Sequence, residues 1–122
     1  MSIYEIGDMR YYLREAGSGE SVVLLHGFTG SSANWHLVME RLAGSFRVLA
    51  IDLTGHGQSD APTEIERYTM PNIADDLGVL LGRFNALPAH WLGYSMGGRL
   101  ALYTAVNHPQ WVRSLILESA SP

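Results

Sequence analysis

The feature that most constrains this chain is an alternation of apolar strand-like runs with stretches of helical spacing. Ser21-Val-Val-Leu-Leu25 is an apolar run with no polar interruption after its first residue, as expected of a strand buried on both faces of a parallel sheet. Phe46–Ile51, His90-Trp91-Leu92 and Val112–Leu117 read as further buried strands. Between them the period changes. From Ser31 or Ser32, the residues Trp35, Val38, Met39 and Leu42 recur at i, i+3, i+4 and i+7. A serine suits the start of that helix and Gly44 its end. A second helix is expected from about Pro71 to Phe84, with Ile73, Leu77, Leu80, Leu81 and Phe84 on one face and Pro71 in the first turn. A third follows Gly93–Gly97 and ends near His108-Pro109. Two short strands, Ile3–Ile6 and Met9–Ala16, come first, joined by Gly7-Asp8. The order predicts an α/β fold: a mostly parallel sheet with right-handed crossovers, an antiparallel N-terminal strand pair, and flanking helices.

Composition narrows the function classes. At 122 residues the chain is one unit, 1–122, with 47% apolar and 16% charged residues, which suits a packed core. Its formal charge of −4, with eight scattered Lys and Arg, offers no basic face for nucleic acid. There is no cysteine, so disulfides, thiolate metal sites and a cysteine nucleophile are excluded. Glu5, Asp8, Arg10 and Arg14 interrupt the first twenty residues, and no stretch approaches the ~20 apolar residues of a membrane span. A cytoplasmic protein that engages no membrane is expected. The chain stops at Ser121-Pro122, just after a buried strand. A domain ending there would expose an apolar edge, so the chain is expected to be partial, associating either with a missing C-terminal half or with itself through that edge, and marginal or self-associating when isolated.

The chemistry concentrates in three loops. Gly93-Tyr94-Ser95-Met96-Gly97 matches G-x-S-x-G between a buried strand and a helix, the setting of a nucleophile elbow. A sharp strand-to-helix turn strains the backbone at Ser95, and glycines at 93 and 97 relieve crowding. The hydroxyl is thereby raised above the carboxyl edge of the sheet, where open α/β sheets bind ligands, with a helix N-terminus behind it. His26-Gly27-Phe28 follows the preceding buried strand, so the backbone N–H groups of Phe28 and Met96 are expected to converge on one oxygen.

Asp52 through Asp60 forms the third loop. His56 is either a catalytic base or, flanked by Gly55 and Gly57, a residue that shapes the loop; the second is favoured. Arg99, four residues after Ser95, either faces the nucleophile's side and holds a substrate carboxylate or is a solvated helix arginine. None of the histidines has metal-ligand spacing.

Together His26-Gly-Phe-Thr-Gly30, Asp52–Asp60 and Leu92-Gly-Tyr-Ser-Met-Gly-Gly-Arg-Leu-Ala-Leu102 resemble the α/β-hydrolase superfamily. Within it the chain is most similar to the 2-succinyl-6-hydroxy-2,4-cyclohexadiene-1-carboxylate synthases (the MenH family) of menaquinone biosynthesis, on Tyr94, Arg99, the Phe-Thr-Gly loop and the ending Glu118-Ser-Ala-Ser-Pro122. The resemblance implies elimination of pyruvate from a cyclohexene carboxylate, without a metal or organic cofactor. It makes Ser95 the proton-abstracting base, the Phe28 and Met96 amides an enolate-stabilising pair, Arg99 a grip on substrate carboxylates, and Tyr94 part of the pocket wall. It further implies that the chain is the N-terminal half of the fold, ending after the sixth strand. The triad acid and histidine then come from loops after later strands, and the lid is likewise absent. Two other functions fit the residues: a carboxylesterase or lactonase with a serine nucleophile, and a non-catalytic half-domain that associates through its last strand.

Overall fold

The computed structural model describes residues 2–120; Ser121 and Pro122, which close the Glu-Ser-Ala-Ser-Pro ending, lie outside the described residues. Six strands form one sheet: β1 (Ser2–Ile6), β2 (Met9–Ala16), β3 (Ser21–Leu25), β4 (Arg47–Ile51), β5 (Ala89–Tyr94) and β6 (Val112–Glu118), in the order β1-β2-β4-β3-β5-β6. β1 pairs antiparallel with β2 and β2 with β4, while β3 is parallel to both β4 and β5, and β5 to β6. The helices are α1 (His36–Leu42), α2 (Met70–Arg83) and α3 (Met96–Asn107).

The period of two explains why β3 is apolar throughout. Val23 and Leu25 join a core with Leu77, Leu80, Leu81, Leu100 and Ala101 of α2 and α3. Val22 and Leu24 point the other way, into a core with Trp35 and with Met39 of α1. Trp91 of β5, fully buried, fills the first core, and its indole N–H donates to Trp111 O at 3.0 Å.

Local chemistry sets the helix ends. Ser31 caps the first helical segment, its hydroxyl accepting from Ala33 N–H while Asn34 Oδ1 accepts from Ser31 N–H. This segment begins as a 3-10 turn, Ser32–Trp35, before α1, so the helix is not regular from its first serine as expected. Thr69 caps α2, with Pro71 in its first turn. A 3-10 turn over Ile65–Tyr68 precedes it.

One expectation is corrected. Val112–Leu117 reads as a buried strand, but β6 is the edge of the described sheet and is largely open, Ile116 being 56% and Leu117 38% exposed. Its apolar sequence suits a buried strand, but it has a sheet neighbour only on the β5 side. No helix among the described residues is long and apolar enough to cross a membrane.

Candidate active site

β3 is followed in sequence by β4 on one side of it and, after α2, by β5 on the other. The loops leaving the carboxyl ends of β3 and β5 therefore part company, and such a switch point is where open α/β sheets form a crevice. A cavity of about 510 Å³ lies there, lined among others by His26, Phe28, Asn34, Trp35, Tyr94 and Glu118.

Ser95 sits at the turn from β5 into α3 with φ 52° and ψ −112°, a conformation that costs a non-glycine residue about 1–3 kcal/mol. Its neighbours hold it there: Ser95 N–H donates to Glu118 O at 2.9 Å, and Ser95 O accepts from Arg99 N–H at 3.0 Å. The turn needs close backbone approach. A Cβ on Gly97 would collide with the carbonyl of Leu25 and one on Gly93 with that of Gly97, while one on Gly27 would lie 2.9 Å from the Tyr94 ring. These contacts bring the His26–Gly30 loop against the elbow, as expected from the two motifs. Among the described residues, neither the Phe28 nor the Met96 N–H has a hydrogen-bond partner, and Met96 opens α3. Both are donors at the sheet's carboxyl edge, where negative charge would be favoured.

Behind this edge, Asp52 ties two loops together. Its buried carboxylate accepts from Ser32 N–H at 2.6 Å and from Gln58 N–H at 2.9 Å. Gly57, at φ +55°, lies so close that a Cβ there would collide with that carboxylate. His26 is 1% exposed. Its Nε2 accepts from Leu53 N–H at 3.0 Å, so its Nδ1 carries the proton and donates to Gly27 O at 2.7 Å. Both ring nitrogens are thus occupied in the neutral form, and burial pushes the pKa of His26 down. His56 packs its ring 5.0 Å from that of His26 and edge-on to Phe28 at 5.7 Å. Its Nδ1 lies 3.0 Å from Thr54 O, an arrangement that shapes the loop.

The base of that loop is anchored to β2 and α2. Tyr11 O–H donates to Asp76 Oδ2 at 2.7 Å and lies 2.9 Å from Thr54 Oγ1. Burial pushes both the Tyr11 phenol and the Asp76 carboxyl up.

Arg99 is exposed on the first turn of α3 and is not part of the cavity wall. Tyr94 is on the wall, 44% exposed, facing the same space as Phe28, which is 74% exposed. Sequence reasoning overlooked Glu118 as a wall residue. No local pattern marks it: it reaches the wall because it closes the strand that pairs with the elbow strand, in register with Tyr94.

The family described as alpha/beta hydrolase fold matches residues 20–122. The chain is 40% identical over 116 residues to a Bacillus subtilis protein that carries the name of a 2-succinyl-6-hydroxy-2,4-cyclohexadiene-1-carboxylate synthase, covering 93% of this chain and 42% of that protein. It is 38% identical over 106 residues to a pimeloyl-[acyl-carrier protein] methyl ester esterase of Aeromonas hydrophila, covering 87% of this chain and 40% of the other. Among solved structures, an N-acyl homoserine lactone degrading enzyme superposes with a TM-score of 0.91 at 29% identity, over 98% of this chain and 45% of that one. The chain therefore spans about two fifths of the length of these relatives.

Proposed function

The chain belongs to the α/β-hydrolase-fold family, and from that premise we propose that Ser95 is the reacting group of an enzyme that eliminates pyruvate from a succinyl-cyclohexene carboxylate. The observation that carries the proposal is the strained Ser95 backbone at the head of α3, next in the chain to the cavity-wall residue Tyr94 and at the same sheet edge as two unpartnered amides. The 40% identity to the synthase-named protein is what supports this chemistry.

A serine hydroxyl is a weak base until a histidine takes its proton. We assign that histidine and its acid to sequence following the stretch this chain shares with its longer relatives, and read residues 1–122 as the N-terminal part of one catalytic domain. Neither His26, whose ring nitrogens are both occupied, nor His56, which shapes its loop, is given this role. Activated Ser95 Oγ removes the proton beside the succinyl carbonyl. The Phe28 and Met96 N–H groups then hold the enolate oxygen that develops. Collapse of the enolate forms the conjugated diene as the carbon–oxygen bond to the pyruvyl group breaks. The departing group takes up a proton to leave as pyruvate, so that the proton removed from carbon is balanced. Arg99, exposed on the first turn of α3, holds a substrate carboxylate, and Tyr94 lines the pocket.

A second reading is hydrolysis of an ester or lactone, with Ser95 as nucleophile. The methyl ester esterase and the lactone-degrading structure favour it. One assay on the full-length protein separates the two. Release of pyruvate from the cyclohexene substrate, with no turnover of simple esters, supports elimination. Hydrolysis of a 4-nitrophenyl ester or a lactone without pyruvate release supports the second reading and sinks the first.

A further inference from the structure

Glu118 is the one residue with a formal charge on the described wall of the cavity, because the remaining charge-capable member, His26, is held neutral by its two hydrogen bonds. Its placement is fixed from two sides. It is in register with Tyr94 across the β5–β6 pair, so both project from the same face of the sheet about 5 Å apart. Its carbonyl accepts the Ser95 N–H, which ties the last residue of β6 directly to the elbow. The carboxylate itself has no hydrogen bond or ion pair among the described residues. Arg99, by contrast, lies outside the cavity wall, on the first turn of α3.

We propose that Glu118 is a specificity-determining residue that keeps substrate carboxylates away from the β6 end of the cavity. The proposal rests on the reading of this cavity as the reaction site and adds the orientation of the substrate within it. A second negative charge brought within about 7 Å of Glu118, in a space partly screened from water, is disfavoured by roughly ten-fold in affinity. A neutral group of the same shape meets no such penalty. An anionic substrate then binds with its charged end turned away from β6 and its uncharged part toward Tyr94 and Glu118.

The test uses the full-length protein and a matched pair of probes, benzoate and benzamide, titrated by NMR with the Gly27, Phe28 and Tyr94 amides as reporters. Glu118→Gln removes the charge and keeps the shape. It is expected to tighten benzoate relative to benzamide about ten-fold, Glu118→Asp to leave the ratio near the wild-type value, and Arg99→Gln to weaken benzoate alone. A benzoate-to-benzamide ratio that Glu118→Gln does not move overturns the proposal, as does failure of both probes to perturb the cavity amides. Turnover by Ser95→Ala is scored separately. If that variant keeps full activity, the reaction assigned to Ser95 falls, while the probe ratio still reports whether the charge at 118 selects.

Discussion

Strands β3 and β6 lie two positions apart in one sheet, and both carry the apolar residues of a strand meant for burial, yet their surroundings are opposite. Every residue of β3 is buried, with Val22 and Leu24 packed toward α1 and Val23 and Leu25 toward α2 and α3. In β6 no residue is fully buried, and Ile116 projects into solvent. The apolar content of a strand records the environment its sequence suits. Its neighbours in the sheet determine the environment it has. The site lies between these two strands, so one side of it is held by a full core and the other by a strand with a single partner.

That contrast can be broken by mutation. Leu24→Ala in β3 is expected to cost about 2–5 kcal/mol by urea unfolding, whereas Ile116→Lys in β6 should change this chain by no more than about 0.5 kcal/mol. In a longer protein that covers β6, the lysine should instead cost about 2 kcal/mol or more. Equal losses at the two positions in the 122-residue chain would remove the distinction. Asp52→Ala should cost about 2–4 kcal/mol, because two backbone N–H groups, those of Ser32 and Gln58, lose a charged acceptor. No loss would show that the two loops are held by something else.

Acid should sharpen the same picture. The folded pKa of His26 is depressed, chiefly by burial, so between that value and the unfolded pKa of about 6.5 the unfolded state binds more protons. Its contribution to stability is therefore complete above about pH 6.5 and is lost as pH falls toward the folded pKa, with a slope of at most about 1.4 kcal/mol per unit. His26→Gln should flatten that limb in unfolding curves between pH 7 and 5; an unchanged limb would assign it to other groups. A small gain is expected at Ser95→Gly, which relieves the left-handed backbone and should raise stability by about 1 kcal/mol while abolishing turnover. Destabilisation would mean that the elbow is not strained.

Much of this was legible in the sequence, for physical reasons. Strand and helix periods differ, so the run from Ser21 to Leu25 and the spacing of Ile73, Leu77, Leu80 and Leu81 each point to one element. The G-x-S-x-G string locates Ser95 because only a tight strand-to-helix turn needs glycines at 93 and 97. What escaped depends on contacts between distant residues. The bond from Tyr11 to Asp76 joins positions 65 residues apart, and Glu118 reaches the cavity only through the register of β6 on β5. Whether Arg99 faces the nucleophile's side or solvent could not be read from its spacing, because the first turn of a helix permits both directions.

The most direct test of the central claim is the turnover of Ser95→Ala in the full-length protein, measured as pyruvate release beside the wild type, with a thermal melt of each to confirm folding. The account predicts an intact melt and a rate lower by at least about 10³-fold, since the group that moves the proton is gone while the amides of Phe28 and Met96 remain. A folded Ser95→Ala protein that releases pyruvate at the wild-type rate would contradict it.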